Sequence, residues 1–432
     1  MLYFQCTIES TFGDKMGSTN VGEEDTPHWL NREFLATILS EEEKKNISVT
    51  CMDVKTAVSK GENYLSTLYR IMVECNESNG GNGRKKYFLI LKTLPKGELL
   101  QKLVCDSQSF EKEMQMYSST LPAMYCATKA NLRPMSARYM PTNMNNVIVL
   151  EDLQQLGYKM ANRHTGLDLE HCEMTVRALA RFHATSVALH NSDPACMDMY
   201  SEGLYKDTEE GRERTHAHLS YNLQNLASRI EKWPGYEPCA DKIREMIPTA
   251  TDQMIKFLQP KKDSLNVLNH GDCWVNNIMF HYSKETGKVD DIRLVDFQLA
   301  RFSSPVLDLQ YFLCTSTNDE VRFRQRDHLL SEYHAEFRNT LEVLDLDPNQ
   351  YTLEQLKEEF EATEVFGLLV VCSTLWVMLA GPSDVPDFSQ MTEEHWTPNE
   401  STWQFMDKGL SGSRYTEVIQ TFLRHYENKG IL

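Results

Sequence analysis

Two short apolar runs separated by a polar turn constrain the fold of this 432-residue chain more than any other feature. The runs are residues 278–280 and 292–295, and Thr286-Gly287-Lys288 lies between them. Runs rich in β-branched and aromatic residues, separated by glycine and polar residues, are typical of a β-hairpin. In such a hairpin the residue before the first strand lies opposite the residue after the second. The pattern therefore predicts that Asn277 and Asp296 lie together.

Asp272 lies in a short polar loop five residues before Asn277, so three oxygen-bearing side chains are expected at one end of the hairpin. Mg²⁺ takes oxygen ligands and usually uses one or two protein groups together with substrate phosphates. We therefore predict that Asn277 and Asp296 are metal ligands and that Asp272 receives a proton. An Asp-x-x-x-x-Asn loop followed by an Asp-Phe-Gly-like motif is typical of kinases. The alternative, that all three are solvated turn residues, fits the paired spacing less well.

These motifs, His270-Gly271-Asp272…Asn277 and Val295-Asp296-Phe297-Gln298, resemble those of the aminoglycoside/choline kinase-like branch of the kinase fold. Within this branch the chain most resembles the ecdysteroid kinase-like family. The resemblance implies an α+β, protein-kinase-like two-lobe fold, with an antiparallel β-sheet plus helices in the N-terminal lobe and a larger α-rich C-terminal lobe. It also implies ATP and Mg²⁺ as cofactors and a hydroxyl acceptor, either an ecdysteroid or another lipophilic alcohol, in hormone inactivation or detoxification.

The expected domain organisation follows the order of the motifs. Residues 1–26 are polar, give no periodic signal and are placed outside the fold. We expect a nucleotide-binding lobe over 27–153 and a catalytic and acceptor-binding lobe over 154–432.

The segment Gly61-Glu62-Asn63-Tyr64-Leu65-Ser66 lies between two predicted strands, 49–58 and 67–74. A strand–loop–strand with glycine and small polar residues can place backbone N–H groups over phosphates. An ordinary hairpin turn is the alternative, because the loop has one glycine. The segment resembles the Gly-Glu-Asn-Tyr loop of the ecdysteroid kinase-like family. On this resemblance the nucleotide-binding residues of the loop are Gly61, Glu62, Asn63 and Ser66.

Lys92 ends an apolar strand predicted at 87–92, where a charged head group needs a partner. In kinases a glycine loop is followed by a strand whose lysine contacts the phosphates, and Lys92 has this position. Its partner would be a glutamate on the next helix, which is predicted to begin near Ser107. That helix offers Glu111 and Glu113. Because each helical residue turns by about 100°, Glu113 lies nearer the centre of the apolar stripe. We therefore predict a Lys92–Glu113 ion pair; in the alternative both acids are solvated.

A strand predicted at 145–150 ends in Glu151-Asp152-Leu153. Its position after the predicted glycine loop, lysine strand and helix corresponds to the hinge of a kinase, where backbone groups hydrogen-bond to the edge of adenine. Glu151 and Leu153 are therefore candidate nucleotide-binding residues.

In the C-terminal part we expect helices at 175–189, 322–344, 353–380 and 412–428. His183 is interpreted as a core histidine. Asp308 is interpreted as a carboxylate at a helix start, and the family resemblance suggests that it also braces the catalytic loop.

Composition narrows the class of partner. The net charge of −18 argues against a nucleic-acid or anionic-membrane surface, because both require basic residues. The longest apolar run, 365–380, contains polar residues and is shorter than the roughly 18 residues of a membrane span. Eleven scattered cysteines and the absence of a signal-peptide pattern predict a cytoplasmic protein.

Three other functions fit part of the pattern. A protein kinase would have arginine in place of Gly271 and a long activation loop after Asp296. A catalytically dead nucleotide-binding scaffold would be expected to lack at least one of the motif residues, all of which are present. A choline- or aminoglycoside-type kinase shares the motifs and differs only in the acceptor pocket. A cationic acceptor requires acids and aromatic residues over the site, and the sequence does not reveal such a cluster.

Overall fold

The part of the chain that the computed structural model describes comprises residues 26–57, 66–77, 84–95, 97–127, 133–203, 205–381, 407 and 409–432. The predicted polar tail lies outside these ranges except for its last residue. Within them, no helix combines the length and apolar character needed to cross a membrane.

The N-terminal part is built on an antiparallel sheet of five strands. The strands are β1 (Ile47–Thr56), β2 (Thr67–Glu77), β3 (Arg84–Thr93), β4 (Tyr139–Met140) and β5 (Val147–Glu151), in the order β1-β2-β3-β5-β4. Helix α1 (Arg32–Glu43) packs on one face of this sheet. Tyr69 and Ile71 of β2 and Leu91 of β3 are buried in this α1-facing core.

The opposite face of the sheet carries polar groups. Side chains alternate between the two faces of a strand, so Lys92 and Arg70 point away from the α1-facing core. The register pairs Leu68 with Lys92, which fixes the position of Lys92 near the end of β3. This alternation places a lysine and an arginine on the face where a nucleotide is expected.

Three helices follow β3: α2 (Glu98–Ser107), α3 (Ser109–Gln115) and α4 (Leu121–Ala127). The helix that carries Glu113 was predicted to begin near Ser107, and it begins at Ser109, two residues after Ser107 ends α2. Gln108 adopts a left-handed conformation, with φ of 52°, and separates α2 from α3. The helix that carries Glu113 continues through a π-helical turn, Met116–Thr120, directly into α4.

The C-terminal part is rich in helices. They are α5 (Leu169–Ser192), α6 (Glu209–Ile230), α7 (Glu237–Leu258), α8 (Val306–Thr315), α9 (Arg326–Val343), α10 (Leu353–Ala362), α11 (Glu364–Ser373), α12 (Leu375–Leu379) and α13 (Ser413–Asn428). The short strands are β6 (Lys159–Met160), β7 (Val267–Asn269), β8 (Ile278–Tyr282), β9 (Val289–Leu294) and β10 (Arg301–Ser303). Helix α5 packs against α9, and α6 packs against α7. One large apolar core joins these helices.

Three predicted helices differ from the structure, and the first of them, predicted at 175–189, is the longer α5. The single helix predicted at 353–380 is three helices, α10 to α12, because Thr363 and Thr374 leave helical geometry. The helix predicted at 322–344 begins later, at Arg326. The apolar run that suggested continuity includes α11, which is buried all along its length and therefore has no polar face to mark its ends.

The fold is α+β and protein-kinase-like, with the antiparallel sheet in the N-terminal lobe and the helices concentrated in the C-terminal lobe. Strand β5 ends at Glu151, just before the lobe boundary that the sequence predicts at 153. The boundary itself stays a prediction.

Candidate active site

The hairpin predicted from the two motifs is formed by β8 and β9, with Ile278 paired to Leu294. The predicted pairing of Asn277 with Asp296 is wrong by one residue, since the Val295 N–H donates to the Asn277 carbonyl at 3.0 Å. The reason is that β9 ends at Leu294. Asp296 has a φ of 67°, a conformation rare for residues other than glycine, and this turn redirects its side chain. Both side chains nevertheless line one cleft.

The loop that carries Asp272 is held by its backbone. The carboxylate of Asp308, in the first turn of α8, accepts hydrogen bonds from the N–H groups of His270 (2.6 Å) and Gly271 (2.9 Å). These contacts confirm that Asp308 braces the loop. The expectation that His183 is a buried core histidine is also confirmed: its ring lies 3.1 Å from Asp308 and 2.8 Å from the Tyr333 hydroxyl.

Gly271 is required by the packing of this loop. It has a φ of 79°, and a Cβ atom built on it would lie 1.9 Å from the Leu299 carbonyl oxygen. A side chain at this position would therefore be strained and would collide with backbone. The glycine lets the segment after the hairpin pack directly on the loop that carries Asp272.

Asp272 is fully buried and has a separate hydrogen-bond donor for each carboxylate oxygen. Tyr311 donates from its hydroxyl to Oδ1, and the Asn277 side-chain amide donates to Oδ2 at 2.7 Å. Burial raises the pKa of Asp272 well above its ordinary value, and the neighbouring charges of Asp296 and Asp308 raise it further. The hydrogen bonds from Tyr311 and Asn277 act in the opposite direction and lower this pKa, because they stabilise the ionised carboxylate.

Lys92 lies between two buried carboxylates. Its Nζ atom is 2.5 Å from Oε2 of Glu113 and 3.0 Å from Oδ1 of Asp296. The predicted Lys92–Glu113 ion pair is thus present, whereas the competing Glu111 is exposed. Burial raises the pKa of Glu113 to about 7, although the positive charge of Lys92 lowers it. Lys92 is therefore held between two acids on one wall of the cleft.

The residues proposed as metal ligands suit a hard divalent cation. Oδ1 of Asn277 is buried and has no hydrogen-bond partner among the residues described, while the amide nitrogen is fixed on Asp272. Asp296 adds a carboxylate on the same cleft. In the described ranges no three His, Cys, Asp or Glu residues gather into a metal cluster. One amide and one carboxylate leave the other positions of Mg²⁺ to phosphate and water oxygens, as is usual for this ion.

The cleft between the sheet and the hairpin has about 740 Å³ of empty space, part of it open to solvent. Its apolar walls, which would suit a planar base, include Leu68, Ile90, Leu150, Met160 and Met279. Lys92, Glu113, Asn277 and Asp296 line the same cleft, as do Glu151 and Leu153.

The remaining nucleotide-binding predictions have different outcomes. The Glu151 carboxylate accepts a hydrogen bond from the Arg138 N–H at 2.8 Å, so its side chain has a structural partner. Ser66 is buried directly before β2. Gly61, Glu62 and Asn63 lie outside the described residues, and their role stays a prediction.

Sequence reasoning missed two contacts in this region. Arg70 forms an ion pair of 2.8 Å with the buried Asp152 at one side of the cleft. The alternation of β2 and β3 was the available signal, because it places Arg70 on the same face as Lys92. No sequence pattern indicated the contact of Tyr311 with Asp272, because a tyrosine inside an apolar helix is ordinarily interpreted as a core residue.

Comparison with known proteins decides the family. The model of the ecdysteroid kinase-like family matches residues 60–346, which is more than half of the chain. The chain belongs to the ecdysteroid kinase-like family. Membership makes the protein a small-molecule kinase that acts on a hydroxyl group. No curated protein matches the chain.

Solved structures of similar fold include an ethanolamine kinase from Plasmodium vivax, with a TM-score of 0.42 and 12% identity over 87% of this chain and 84% of that one. A microcompartment-associated aminopropanol kinase has a TM-score of 0.43 and 13% identity over 91% of this chain and 98% of its own. An amicoumacin kinase complex with AMP-PNP and Ca²⁺ has a TM-score of 0.37 and 13% identity, with coverages of 82% and 86%.

Proposed function

We propose that this ecdysteroid kinase-like protein transfers the γ-phosphoryl group of ATP, with Mg²⁺, to a hydroxyl of an ecdysteroid or another lipophilic alcohol. The observation that carries the proposal is the buried Asp272, held between Tyr311 and Asn277 in the loop that precedes Asp296. The proposed metal ligands Asn277 and Asp296 and the paired Lys92 line one cleft, and Asn277 donates a hydrogen bond to Asp272 behind it. We propose hormone inactivation or detoxification as the role, and the cytoplasmic location stays a prediction from the sequence.

In this mechanism Asp272 orients the acceptor hydroxyl and takes its proton. The acceptor oxygen forms a bond to the γ-phosphorus atom while the bond to the bridging oxygen breaks, and ADP leaves with that electron pair. Asn277 and Asp296 would hold Mg²⁺, which when bound neutralises charge on the phosphate oxygens. Lys92, fixed by Glu113, contacts the phosphates. Positioning and charge neutralisation supply most of the catalysis in phosphoryl transfer.

The pocket beside the catalytic loop supports a lipophilic acceptor. A narrow cavity, partly open to solvent, lies between the loop, α8 and α11. Its lining includes Tyr205, Leu258, Leu299, Leu307, Tyr311 and Phe366. The cation in this wall is Arg301, which donates to the carbonyls of Leu258 and Tyr205. Asp308 also lines the cavity, but its carboxylate already accepts two loop N–H groups.

This lining favours a neutral acceptor over a cationic one. Choline- and aminoglycoside-type acceptors carry positive charge, which requires unpaired carboxylates or aromatic faces in the pocket. A guanidinium group beside the pocket would repel such a ligand. The apolar lining instead gains free energy when it covers hydrocarbon surface.

The test is phosphate transfer from Mg²⁺–ATP by the purified chain to 20-hydroxyecdysone, several plant phenols, choline and an aminoglycoside, with detection by mass. We expect phosphate on the steroid or a phenol, its loss in Asp272→Asn, and its retention in Asp241→Asn, which changes an exposed acid on α7. Transfer to choline or the aminoglycoside alone would overturn the lipophilic assignment. Binding of ATP with no transfer to any compound would favour the scaffold function.

A further inference from the structure

An ion pair lies at one end of the nucleotide cleft, and the mechanism above does not use it. Arg70 on β2 lies with its Nε atom 2.8 Å from Oδ2 of Asp152, the residue directly after β5. Asp152 is buried, and its other oxygen, Oδ1, accepts from the Gln154 N–H at 3.1 Å. Both residues of the pair line the cleft. The carboxylate is thus fixed at both oxygens and holds the guanidinium group in the wall of the cleft.

The sheet places this ion pair away from the proposed phosphate contact, Lys92, which lies near the end of β3. The Asp152 N–H donates at 3.0 Å to the carbonyl of Phe88, four residues before Lys92 on the same strand. At about 3.3 Å per residue, these two positions on β3 are roughly 13 Å apart. Ile90 and Leu150, which wall the cleft, are paired between them. A nucleotide whose phosphates contact Lys92 would therefore have its base beside the ion pair.

Arg70 has hydrogen-bond donors that the fold does not use. A guanidinium group carries five N–H donors in a planar fork, and the Nε–H of Arg70 donates to Asp152. Among the residues that the structure describes, no partner accepts from the two terminal nitrogens of Arg70. Because Arg70 lines the cleft, these N–H groups are available to a base bound there.

The backbone of the predicted hinge supplies few donors at this end of the cleft. Three of its N–H groups already donate within the fold: those of Glu151, Asp152 and Gln154. Both carboxylate oxygens of Asp152 also accept a hydrogen bond already. Arg70 is therefore the main source of N–H donors beside the expected base, and it favours a base whose facing edge carries acceptor atoms.

We propose that Arg70 is a specificity-determining residue for the nucleobase, and that the cleft prefers guanine nucleotides, so that GTP is a phosphoryl donor in addition to ATP. Guanine presents two acceptors, O6 and N7, on one edge, and arginine can donate to both at once. Adenine carries the N6 amino group in place of O6, and this donor faces the N–H groups of Arg70 unfavourably.

The inference rests on the proposed function, because it assigns the phosphoryl donor of the same transfer reaction. The bonds made and broken are those described for ATP, and GDP leaves with the electron pair of the bridging oxygen. A guanidinium group that only stacked on the base would stabilise adenine and guanine alike, so the two modes of contact predict different results.

The experiment measures binding of the Mg²⁺ complexes of GDP, IDP and ADP to the full-length chain by isothermal titration calorimetry, with no acceptor present. Hypoxanthine, the base of IDP, keeps O6 and N7 of guanine but lacks its 2-amino group, so IDP isolates the contact assigned to Arg70. Phosphate transfer from GTP and from ATP to the alcohols of the acceptor panel is measured separately.

The wild-type chain is compared with Arg70→Met and with Arg70→Lys, which keeps a positive charge beside the buried Asp152. Arg84→Met is the matched control, because it changes an exposed arginine on β3 of the same sheet. Thermal unfolding checks that each variant is folded.

We expect GDP and IDP to bind the wild-type chain at least about fivefold more tightly than ADP, the lower end of the discrimination that one bidentate arginine contact provides. Arg70→Met should abolish this preference, Arg70→Lys should reduce it, and Arg84→Met should leave it unchanged.

Equal affinities in the wild-type chain, or a preference that persists undiminished in a folded Arg70 variant, would overturn the inference. An equal loss of affinity for all three nucleotides in Arg70→Met would also overturn it, as would IDP that binds only as well as ADP. A preference for GDP and IDP without transfer from either triphosphate to any alcohol would support the base contact and refute the proposed function. If no nucleotide binds, both are refuted.

Discussion

Replacement of Glu113 by glutamine would remove one of the two carboxylates that pair with Lys92 while keeping the shape of the side chain. Lys92 would retain Asp296 at 3.0 Å. A hydrogen bond that involves a charged group contributes about 1.5–3 kcal/mol. We therefore expect kcat/KM for ATP to fall by roughly tenfold to a hundredfold, since each factor of ten corresponds to about 1.4 kcal/mol.

The same variant has a calculable effect on stability. The pKa of Glu113 is raised from its ordinary value of 4.5 to about 7, chiefly by burial. Between these pH values the folded protein keeps Glu113 protonated while the unfolded chain ionises it, so the wild-type chain loses stability as pH rises. The shift corresponds to about 3 kcal/mol in the free energy of unfolding. Glutamine does not titrate, so Glu113→Gln should lack this loss.

Urea unfolding of both chains without nucleotide, at several values from pH 4.5 to pH 7, measures the effect. The unfolding free energy of Glu113→Gln relative to wild type should increase by up to about 3 kcal/mol across this interval. Glu111→Gln, an exposed position on the same helix, is the matched control and should follow the wild-type curve. Parallel curves for wild type and Glu113→Gln would refute the idea that burial holds a proton on this carboxyl.

Three further changes test separate parts of the site. Asp296→Asn should abolish Mg²⁺-dependent turnover, and near wild-type rates at saturating Mg²⁺ would remove it from the metal site. Asn277→Ala should raise the Mg²⁺ concentration needed for half-maximal rate, because it deletes the buried Oδ1 atom that has no partner among the described residues; an unchanged Mg²⁺ titration would count against this. Gly271→Ala should destabilise the fold by several kcal/mol, about 3 or more, since the new Cβ would lie 1.9 Å from a carbonyl oxygen; a thermal unfolding temperature equal to wild type would contradict the packing argument.

The contacts that sequence reasoning anticipated are those controlled by local spacing. The Lys92–Glu113 pair follows from strand order and helical angle, and the structure contains it. Asp272 and Asn277 were expected to converge because they lie five residues apart in one short loop. In the structure the Asn277 amide donates a hydrogen bond to the Asp272 carboxylate. The functional roles of these residues stay predictions.

What sequence reasoning missed depends on tertiary packing. Asn277 lies opposite Val295 rather than Asp296 because β9 ends at Leu294, one residue before the predicted end of the strand. The region 353–380 was read as one helix because the buried α11 has no polar face to mark its ends. Tyr311 is far from Asp272 in sequence, and only the packing of α8 against the loop brings its hydroxyl to the carboxylate.

The most direct test of the central claim uses ATP whose γ-phosphoryl oxygens are labelled with ¹⁸O, together with the alcohol that reacts best in the acceptor panel. The wild-type chain should yield a phosphorylated alcohol that carries the labelled oxygens, and Asp272→Asn should bind ATP but yield none. Label that appears only in inorganic phosphate, or an equal yield of labelled alcohol from Asp272→Asn, would contradict direct transfer assisted by Asp272.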